Sequence, residues 1–477
     1  MSTCRTKIVA TIGPASDSPE LIEELINAGV DVFRIGLAHD SIDTVLLRIA
    51  TIRRVADSLD SSAAVLVDLP GPKVRAGNFG EAGVELATGT TVQLIPGEGG
   101  STAHEVTVNH DRLLDDLQVG DSLNLGDGRA VLEVTALTKE SATAEVLHGG
   151  VMRGRPGVHI PSEHLSVATP TPDDIEALDA VVAVGVDMVA VSFVRTARDI
   201  RALGLERAPL GPYLVAKIET EAAVENLETI LEVSDAVMVA RGDLGLECSL
   251  PQLPALQKRI IEAAVESGRP VITATQMLET MTDNPQPTRA EVSDVANAVF
   301  DGTSAVMLSG ETAIGIDPVR VVKTMTEILE NAEQVFDNQR WAERVEHLGG
   351  REQVDSNAQI ADAVSAAAIR AVSKLLPPAI VCVTGSGATA RAICRYRPSA
   401  SVLAVTDNPR TYRQLGLVWG ATPILASPRG EGRGRIRGVL DELHRRGLVE
   451  PGQIVPVVAG SSNASLASNV LRVETVD

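Results

Sequence analysis

The stretch Tyr213-Leu214-Val215-Ala216-Lys217-Ile218-Glu219 is an apolar run with a lysine near its end and a carboxylate two residues later. A run that is apolar on both faces reads as a strand buried on both sides, the situation of parallel sheets covered by helices. Lys217 sits between Ala216 and Ile218, and an unpaired ammonium there is costly to bury. Glu219 lies on the same face at the strand's period of two, so the pair fits structural ion pairing and catalysis alike. Runs of the same character recur at Lys7–Ile12, Val32–Ile35, Ala64–Asp68, Asp187–Ser192, Ala236–Ala240, Pro270–Ala274 and Ala305–Leu308. Helical patterns follow them. The first has Ser18 as N-cap, Pro19 at its first position, Leu21, Ile22, Leu25 and Ile26 on one face, and Gly29 at its end. Eight apolar strands, each followed by a helix, predict a closed parallel (β/α)8 barrel.

Two segments break that rhythm. Residues 71–169 are rich in Gly, Val and Thr, carry turn signals such as Gly126-Asp127-Gly128, and alternate over Val84–Leu86, Thr91–Leu94, Ala130–Val134 and Thr143–Leu147. They predict an inserted all-β domain after the third barrel strand, on the face where loops build active sites and can act as a lid. Residues 341–477 predict an α/β domain, with a helix over Gln359–Leu376 and strands at Ala379–Val383, Ser401–Val405, Ile454–Val458 and Asn469–Val473. Barrel parts over 1–70 and 170–340 complete the division.

Composition agrees. Aromatics are 2% of the 477 residues while AVILMFWYC residues reach 44%, so the core is aliphatic. The net charge of −21 argues against nucleic-acid and anionic-membrane partners, which need clustered cations. No apolar run reaches the ~18–20 residues of a membrane span. The N-terminus lacks the apolar core of a secretory signal, and Cys4, Cys248, Cys382 and Cys394 show no metal or disulfide spacing. A reduced, cytoplasmic protein is expected.

In a (β/α)8 barrel the C-terminal strand ends converge on one site. Those positions are Arg34, Asp68, Ser192, Lys217 with Glu219, Arg241 with Asp243, Thr275, and Ser309 with Glu311. Glu219 and Asp243, on neighbouring strands, are suited to one hard divalent cation. Arg34 and Lys217 suit a phosphoryl group. Cations, a metal and a hydroxyl at Thr275 together point to phosphoryl transfer, which rests on positioning and charge stabilisation. Taken singly, each of these residues is more often a solvated loop charge; their convergence outweighs that reading. Arg241-Gly242-Asp243-Leu244-Gly245 has neither dinucleotide-binding nor P-loop spacing. Thr384-Gly385-Ser386-Gly387-Ala388-Thr389, ahead of Arg391 and Arg395, reads as an ordinary turn or as a phosphate cradle.

Lys217-Ile218-Glu219, Ala240-Arg241-Gly242-Asp243-Leu244-Gly245, Ala274-Thr275-Gln276-Met277-Leu278-Glu279, Pro287-Thr288-Arg289-Ala290-Glu291 and Met307-Leu308-Ser309-Gly310-Glu311-Thr312-Ala313 resemble, in order, the motifs of the pyruvate kinase family. The resemblance runs from Lys7 to Pro398. It implies a barrel, an inserted lid and a C-terminal α/β domain, with phosphoryl transfer between phosphoenolpyruvate and ADP and Mg²⁺ or Mn²⁺ as cofactor. By matching position it implies that Arg34 and Lys217 neutralise the moving phosphoryl group and that Glu219 and Asp243 hold the metal. Gly242 and Thr275 would hold the substrate carboxylate, with Thr275 near the proton route to the enolate, while His39 and Arg75 lie toward the nucleotide. Thr384, Ser386 and Thr389 fall on the loop that holds a phosphorylated effector in many members, and a homotetramer is the family expectation.

Departures from the pattern sharpen this. Where most members have Asp-Thr-Lys-Gly-Pro-Glu and bind potassium nearby, this chain has Asp68-Leu69-Pro70-Gly71-Pro72-Lys73. Gly36 and Ala38 replace the asparagine and serine of Arg-x-Asn-Phe-Ser-His-Gly, and Asp40 adds an anion. This is similar to the potassium-independent branch, with the Lys73 ammonium standing in for the ion. The lid motif Lys-Lys-Gly-Val-Asn-Leu-Pro is here Arg155-Pro156-Gly157-Val158-His159-Ile160-Pro161, and Ser304 stands where aspartate is usual. These changes imply altered nucleotide handling. They keep two rivals open: a divergent paralogue with another phosphate donor or acceptor, and a non-catalytic binder of phosphorylated metabolites.

Overall fold

The computed structural model describes residues 4–38, 40–126, 128–161, 164–348, 356–427, 433–460 and 468–477. Its first strands are β1 (Lys7–Thr11), β2 (Val32–Gly36) and β3 (Ala64–Leu69). The inserted segment contributes β4 (Val84–Leu86), β5 (Thr91–Pro96), β6 (Glu105–Val108), β7 (Ser122–Leu125), β8 (Ala130–Leu137), β9 (Ala142–His148), β10 (Gly150–Met152) and β11 (Val158–His159). Then come β12 (Met188–Val191), β13 (Tyr213–Ile218), β14 (Ala236–Ala240), β15 (Val271–Ala274) and β16 (Ala305–Leu308). Strands β1–β3 and β12–β16 close into one barrel in the order β1-β16-β15-β14-β13-β12-β3-β2, and every pair is parallel. This is the TIM-barrel fold expected from the strand–helix rhythm.

Burial on both faces of each strand explains why the runs are aliphatic. Val9, Val32, Leu66, Met188, Val215, Met238, Ile272 and Met307 fill the barrel interior, while alternate residues such as Ile8, Phe33, Val65 and Val189 pack against the surrounding helices. Each such side chain contributes about 1.5–3 kcal/mol when buried. The first helix spans Pro19–Ala28, is capped by Ser18, and ends at Gly29 with φ of 121°, as its sequence predicts.

The insert has its own core around Leu94, Leu123, Leu132 and Val146. It forms a six-stranded sheet in the order β11-β7-β8-β9-β5-β6 and a two-stranded pair, β10-β4. Strands β6, β7, β10 and β11, of two to four residues each, are not among the runs the sequence predicts. The C-terminal residues form β17 (Ala379–Val383), β18 (Ser401–Thr406), β19 (Ala421–Leu425), β20 (Ile454–Gly460) and β21 (Ser468–Thr475), ordered β19-β18-β17-β20-β21. β19 was also unread. It carries Pro423, which argues against a central strand but is tolerated at the sheet edge that β19 occupies. Leu417, from the turn ahead of β19, joins the barrel's interior cluster with Tyr213 and Ala236. Gln414 Nε2 donates to the carbonyls of Gly211 (3.1 Å) and Asp187 (3.3 Å). The C-terminal domain thereby plugs the barrel floor and leaves the opposite mouth to the insert.

The cysteines are free, Cys382 and Cys394 buried, Cys4 and Cys248 partly exposed. Burial pushes the Cys394 thiol up to about 12 and Cys382 well above its ordinary value. Titration of the native chain with a disulfide reagent is therefore expected to leave Cys382 and Cys394 unmodified until denaturant is added. Four rapidly reacting thiols would contradict this packing.

Candidate active site

Because all eight strands point the same way, their last residues meet at one rim. There a cleft of about 900 Å³ opens between barrel and insert; Arg34, Asp68, Lys73, Arg75, Ser192, Lys217, Glu219, Asp243 and Ser309 line it. The register sets Arg34 of β2 beside Leu66 of β3 and Lys217 of β13 beside Met238 of β14.

Asp68 is the hub. Arg34 donates to its Oδ2 at 2.7 Å, Ser192 Oγ donates to its Oδ1 at 3.3 Å, and Lys217 Nζ lies 3.4 Å from Oδ1. Arg34 also donates to Thr11 Oγ1 at 3.1 Å, which fixes the guanidinium on its second side. Lys217 donates to Ser192 Oγ at 2.6 Å and stands 2.8 Å from Glu219 Oε1. Burial raises the Asp68 carboxyl, but Lys217 and Arg34 together hold it below the usual value. Burial pulls the Lys217 ammonium down, and Asp68 and Glu219 more than offset this, holding it above the ordinary lysine range. Lys217 is therefore a full positive charge at neutral pH, aimed at the cleft by three partners.

Glu219 is pushed up to about 7 by burial, with Lys217 opposing and Asp243 assisting the rise. Its Oε2 accepts from Phe193 N at 2.7 Å. Its Oε1 is buried and receives no hydrogen bond, because Lys217 approaches it as a charge off hydrogen-bond geometry. A buried carboxylate oxygen without a donor, sharing a cleft with Asp243, fits a hard divalent cation. No cluster of three or more His, Cys, Asp or Glu suited to a metal exists among the described residues. The two carboxylates match Mg²⁺, which is commonly held by one or two side chains plus substrate oxygens.

Thr275 and Gln276 have φ of 68° and 53°, a left-handed turn that non-glycine residues seldom adopt. The turn places Thr275 Oγ1 as acceptor for Gly242 N at 2.8 Å. Arg241 imposes it: its guanidinium donates to the carbonyls of Ala274 (3.1 Å) and Thr275 (2.6 Å) while anchored on Asp294. Arg241 is a strand-end residue that turns away from the cleft and serves as this clamp. Glu311 is likewise structural: fully buried, it accepts from Ser309 N at 2.6 Å and Leu278 N at 3.1 Å. Gly242 and Thr275 bond each other but are not among the residues that line the main cleft.

Lys73 lines the cleft as an exposed residue, and partial desolvation there with the like charges of Lys217 and Arg75 pulls its ammonium below the usual lysine value. A Cβ at Gly36 would meet nothing within 4 Å. Arg75 donates to Arg155 O at 3.3 Å, and Arg155 and Pro156 line the cleft from the insert. His39 lies outside the described residues. Thr384, Ser386 and Thr389 lie far from this site in the fold, under 10% exposed; Thr389 sits in the first turn of the helix Ala388–Cys394. Arg391 of that helix bonds Tyr213 Oη on the barrel floor and Ser386 O.

Residues 3–322 match the family model described as "Pyruvate kinase, barrel domain" and residues 362–474 the one described as "Pyruvate kinase, alpha/beta domain". A protein of Staphylococcus aureus strain MRSA252 named "Pyruvate kinase" is 38% identical over 477 residues, 99% of this chain and 80% of that protein. The protein of the same name from strain USA300 is 37% identical with the same coverage.

Proposed function

Since this chain belongs to the pyruvate kinase family, we propose that the cleft between barrel and insert carries out that family's reaction, phosphoryl transfer from phosphoenolpyruvate to ADP giving pyruvate and ATP. The chain is an enzyme, a phosphotransferase of the pyruvate kinase type. The observation that carries the assignment of the site is the Asp68 hub, which turns Arg34 and Lys217 toward one open volume. Arg34 and Lys217 neutralise the transferring group, where negative charge is spread over its oxygens. Glu219 and Asp243 would hold Mg²⁺ or Mn²⁺, which when bound supplies positive charge to the substrate's carboxylate and enolate oxygens. The Gly242 amide and Thr275 hydroxyl bind the carboxylate, with Thr275 nearest the proton route to the enolate. Arg75 lines the cleft on the nucleotide side, and the family's motif assigns His39 to the nucleotide as well. With two such cations and two such carboxylates in place, the non-catalytic alternative has no structural support.

The division into barrel (1–70 and 170–340), lid (71–169) and C-terminal domain (341–477) belongs to this proposal, and separate hydrophobic cores support it. So do a cytoplasmic location, a homotetramer, and a phosphorylated effector at Thr384, Ser386 and Thr389. The three residues of that loop are each under 10% exposed. No helix among the described residues is long and apolar enough to cross a membrane.

A coupled assay with phosphoenolpyruvate, Mg²⁺ and each nucleoside diphosphate tests the activity; binding without turnover for any diphosphate overturns it. The same assay tests Lys73 as the substitute for potassium. Exchanging KCl for tetramethylammonium chloride is expected to leave the rate unchanged. Lys73→Gln is expected to lower the rate by about tenfold, the weight of one charge contact in a partly dry site. Strong, selective activation of the unaltered chain by potassium rules that role out.

A further inference from the structure

Between insert and barrel, one contact lies away from the two chain crossings. His159 Nε2 of β11 stands 2.8 Å from Glu247 Oε1, with side chains 12% and 5% exposed. The contact is one of ion-pair distance off hydrogen-bond geometry, and no described group hydrogen-bonds His159 Nε2. Glu247 is the last residue of the helix Arg241–Glu247, whose first turn carries Asp243. Its Oε2 accepts from Glu221 N at 3.3 Å, the start of the helix that follows Glu219. One carboxylate therefore links the insert to both segments that bear the proposed metal ligands. Asn124, paired with His159 across β7 and β11, adds a bond from Nδ2 to Leu246 O at 3.4 Å. Gly128 brings the insert's backbone against Leu246. At the exit crossing, by contrast, Arg195 ties down only the Leu165 and Val167 carbonyls.

We infer that His159 and Glu247 are positioning residues for the reaction: a clasp that seats the insert on the barrel mouth and sets the width of the cleft in which Arg75 and Arg155 meet the nucleotide. The inference rests on the phosphoryl-transfer reading of that cleft. The family motif that this stretch resembles carries asparagine where His159 stands. An imidazole reaches further than an asparagine side chain and sets a ring nitrogen 2.8 Å from a carboxylate that is nearly dry, where a polar contact is strongest.

The test is a double-substitution cycle on the full chain: His159→Ala, Glu247→Ala and both together, assayed against varied ADP and varied phosphoenolpyruvate. Each single change is expected to lower kcat/KM for ADP by about tenfold, mainly through KM, and the double change no further, as for groups acting as one unit. His159→Asn, whose shorter side chain does not reach Glu247, is expected to recover little of the loss. Amide hydrogen exchange supplies a readout independent of turnover: the amides of residues 150–160 are expected to exchange faster in His159→Ala while the barrel strands keep their protection. Additive losses, or insert amides exchanging at the unaltered rate, overturn the clasp. Should the alanine variants melt early, His159→Gln with Glu247→Gln carries the same cycle. An inactive unaltered chain would instead count against the reaction, and the exchange measurement would still decide the clasp.

Discussion

Lys217→Met is expected to reduce kcat by about 10²–10³-fold, the loss typical of removing one preorganised charge from a site where charge develops. Methionine keeps most of the apolar stem packed, so the change isolates the ammonium. That ammonium is shared among Ser192 Oγ at 2.6 Å, Glu219 Oε1 at 2.8 Å and Asp68 Oδ1 at 3.4 Å. Its removal therefore also leaves two buried carboxylates facing each other. Breaking such a pair costs roughly 3–5 kcal/mol when the remaining charge stays buried. Glu219, already pushed up to about 7, relieves part of this by taking a proton. A lower melting temperature should accompany the lost rate. Lys217→Arg keeps the charge and separates the two effects: stability close to the unaltered chain with a rate still reduced, since a planar fork cannot place one donor on three acceptors. A methionine variant within tenfold of the original rate would remove Lys217 from the chemistry.

The largest effect on stability is expected from Arg397→Met. Arg397 is 2% exposed, with φ of 51°. Its guanidinium donates to Val299 O at 3.1 Å and Thr303 O at 2.5 Å on the barrel. It lies over Phe336 at 4.7 Å, Trp419 at 4.9 Å and Trp341 at 5.1 Å. Barrel, connecting helix and C-terminal domain thus meet on one cation that has no carboxylate in hydrogen-bond contact among the described residues. Two stranded carbonyls at about 1–3 kcal/mol each and three lost ring contacts at about 0.5–1 kcal/mol each sum to several kcal/mol. The chain has two tryptophans, Trp341 and Trp419, and both flank Arg397. Intrinsic fluorescence therefore reports on this junction directly. The variant is expected to show red-shifted emission and an earlier loss of the C-terminal domain in urea, read as a midpoint because several domains need not unfold together. Unchanged emission and midpoint would mean that the junction is held elsewhere.

How much of this was legible in the sequence depended on range. The barrel strands stand out because burial on both faces leaves uninterrupted aliphatic runs, and Pro423 shows the converse, an edge strand hidden by a residue that only an edge tolerates. Arg34, Asp68, Lys217, Glu219 and Asp243 follow from position alone, since a parallel barrel sends every strand end to one rim. Arg241 and Glu311 obeyed the same positional rule yet serve the framework, because a side chain at the rim can turn inward to the cleft or sideways to a neighbouring turn. Nothing in the sequence marks that choice.

His159 and Glu247 show the remaining limit. Neither stands at the end of a barrel strand, neither stands in a charge pattern, and they meet because the insert folds back over the mouth. The amino-acid sequence by itself determined the eight strands of the barrel, the presence of an inserted and a C-terminal segment, and the set of charges at the rim, because these depend on local periodicity and chain order. Tertiary structure alone decided which rim groups share a proton-bearing partner, which are clamps, where the barrel floor is plugged, and what holds the lid. Those depend on distances between residues far apart in the chain, and an interaction that falls off within a few ångströms leaves no trace in either partner's neighbours along the sequence.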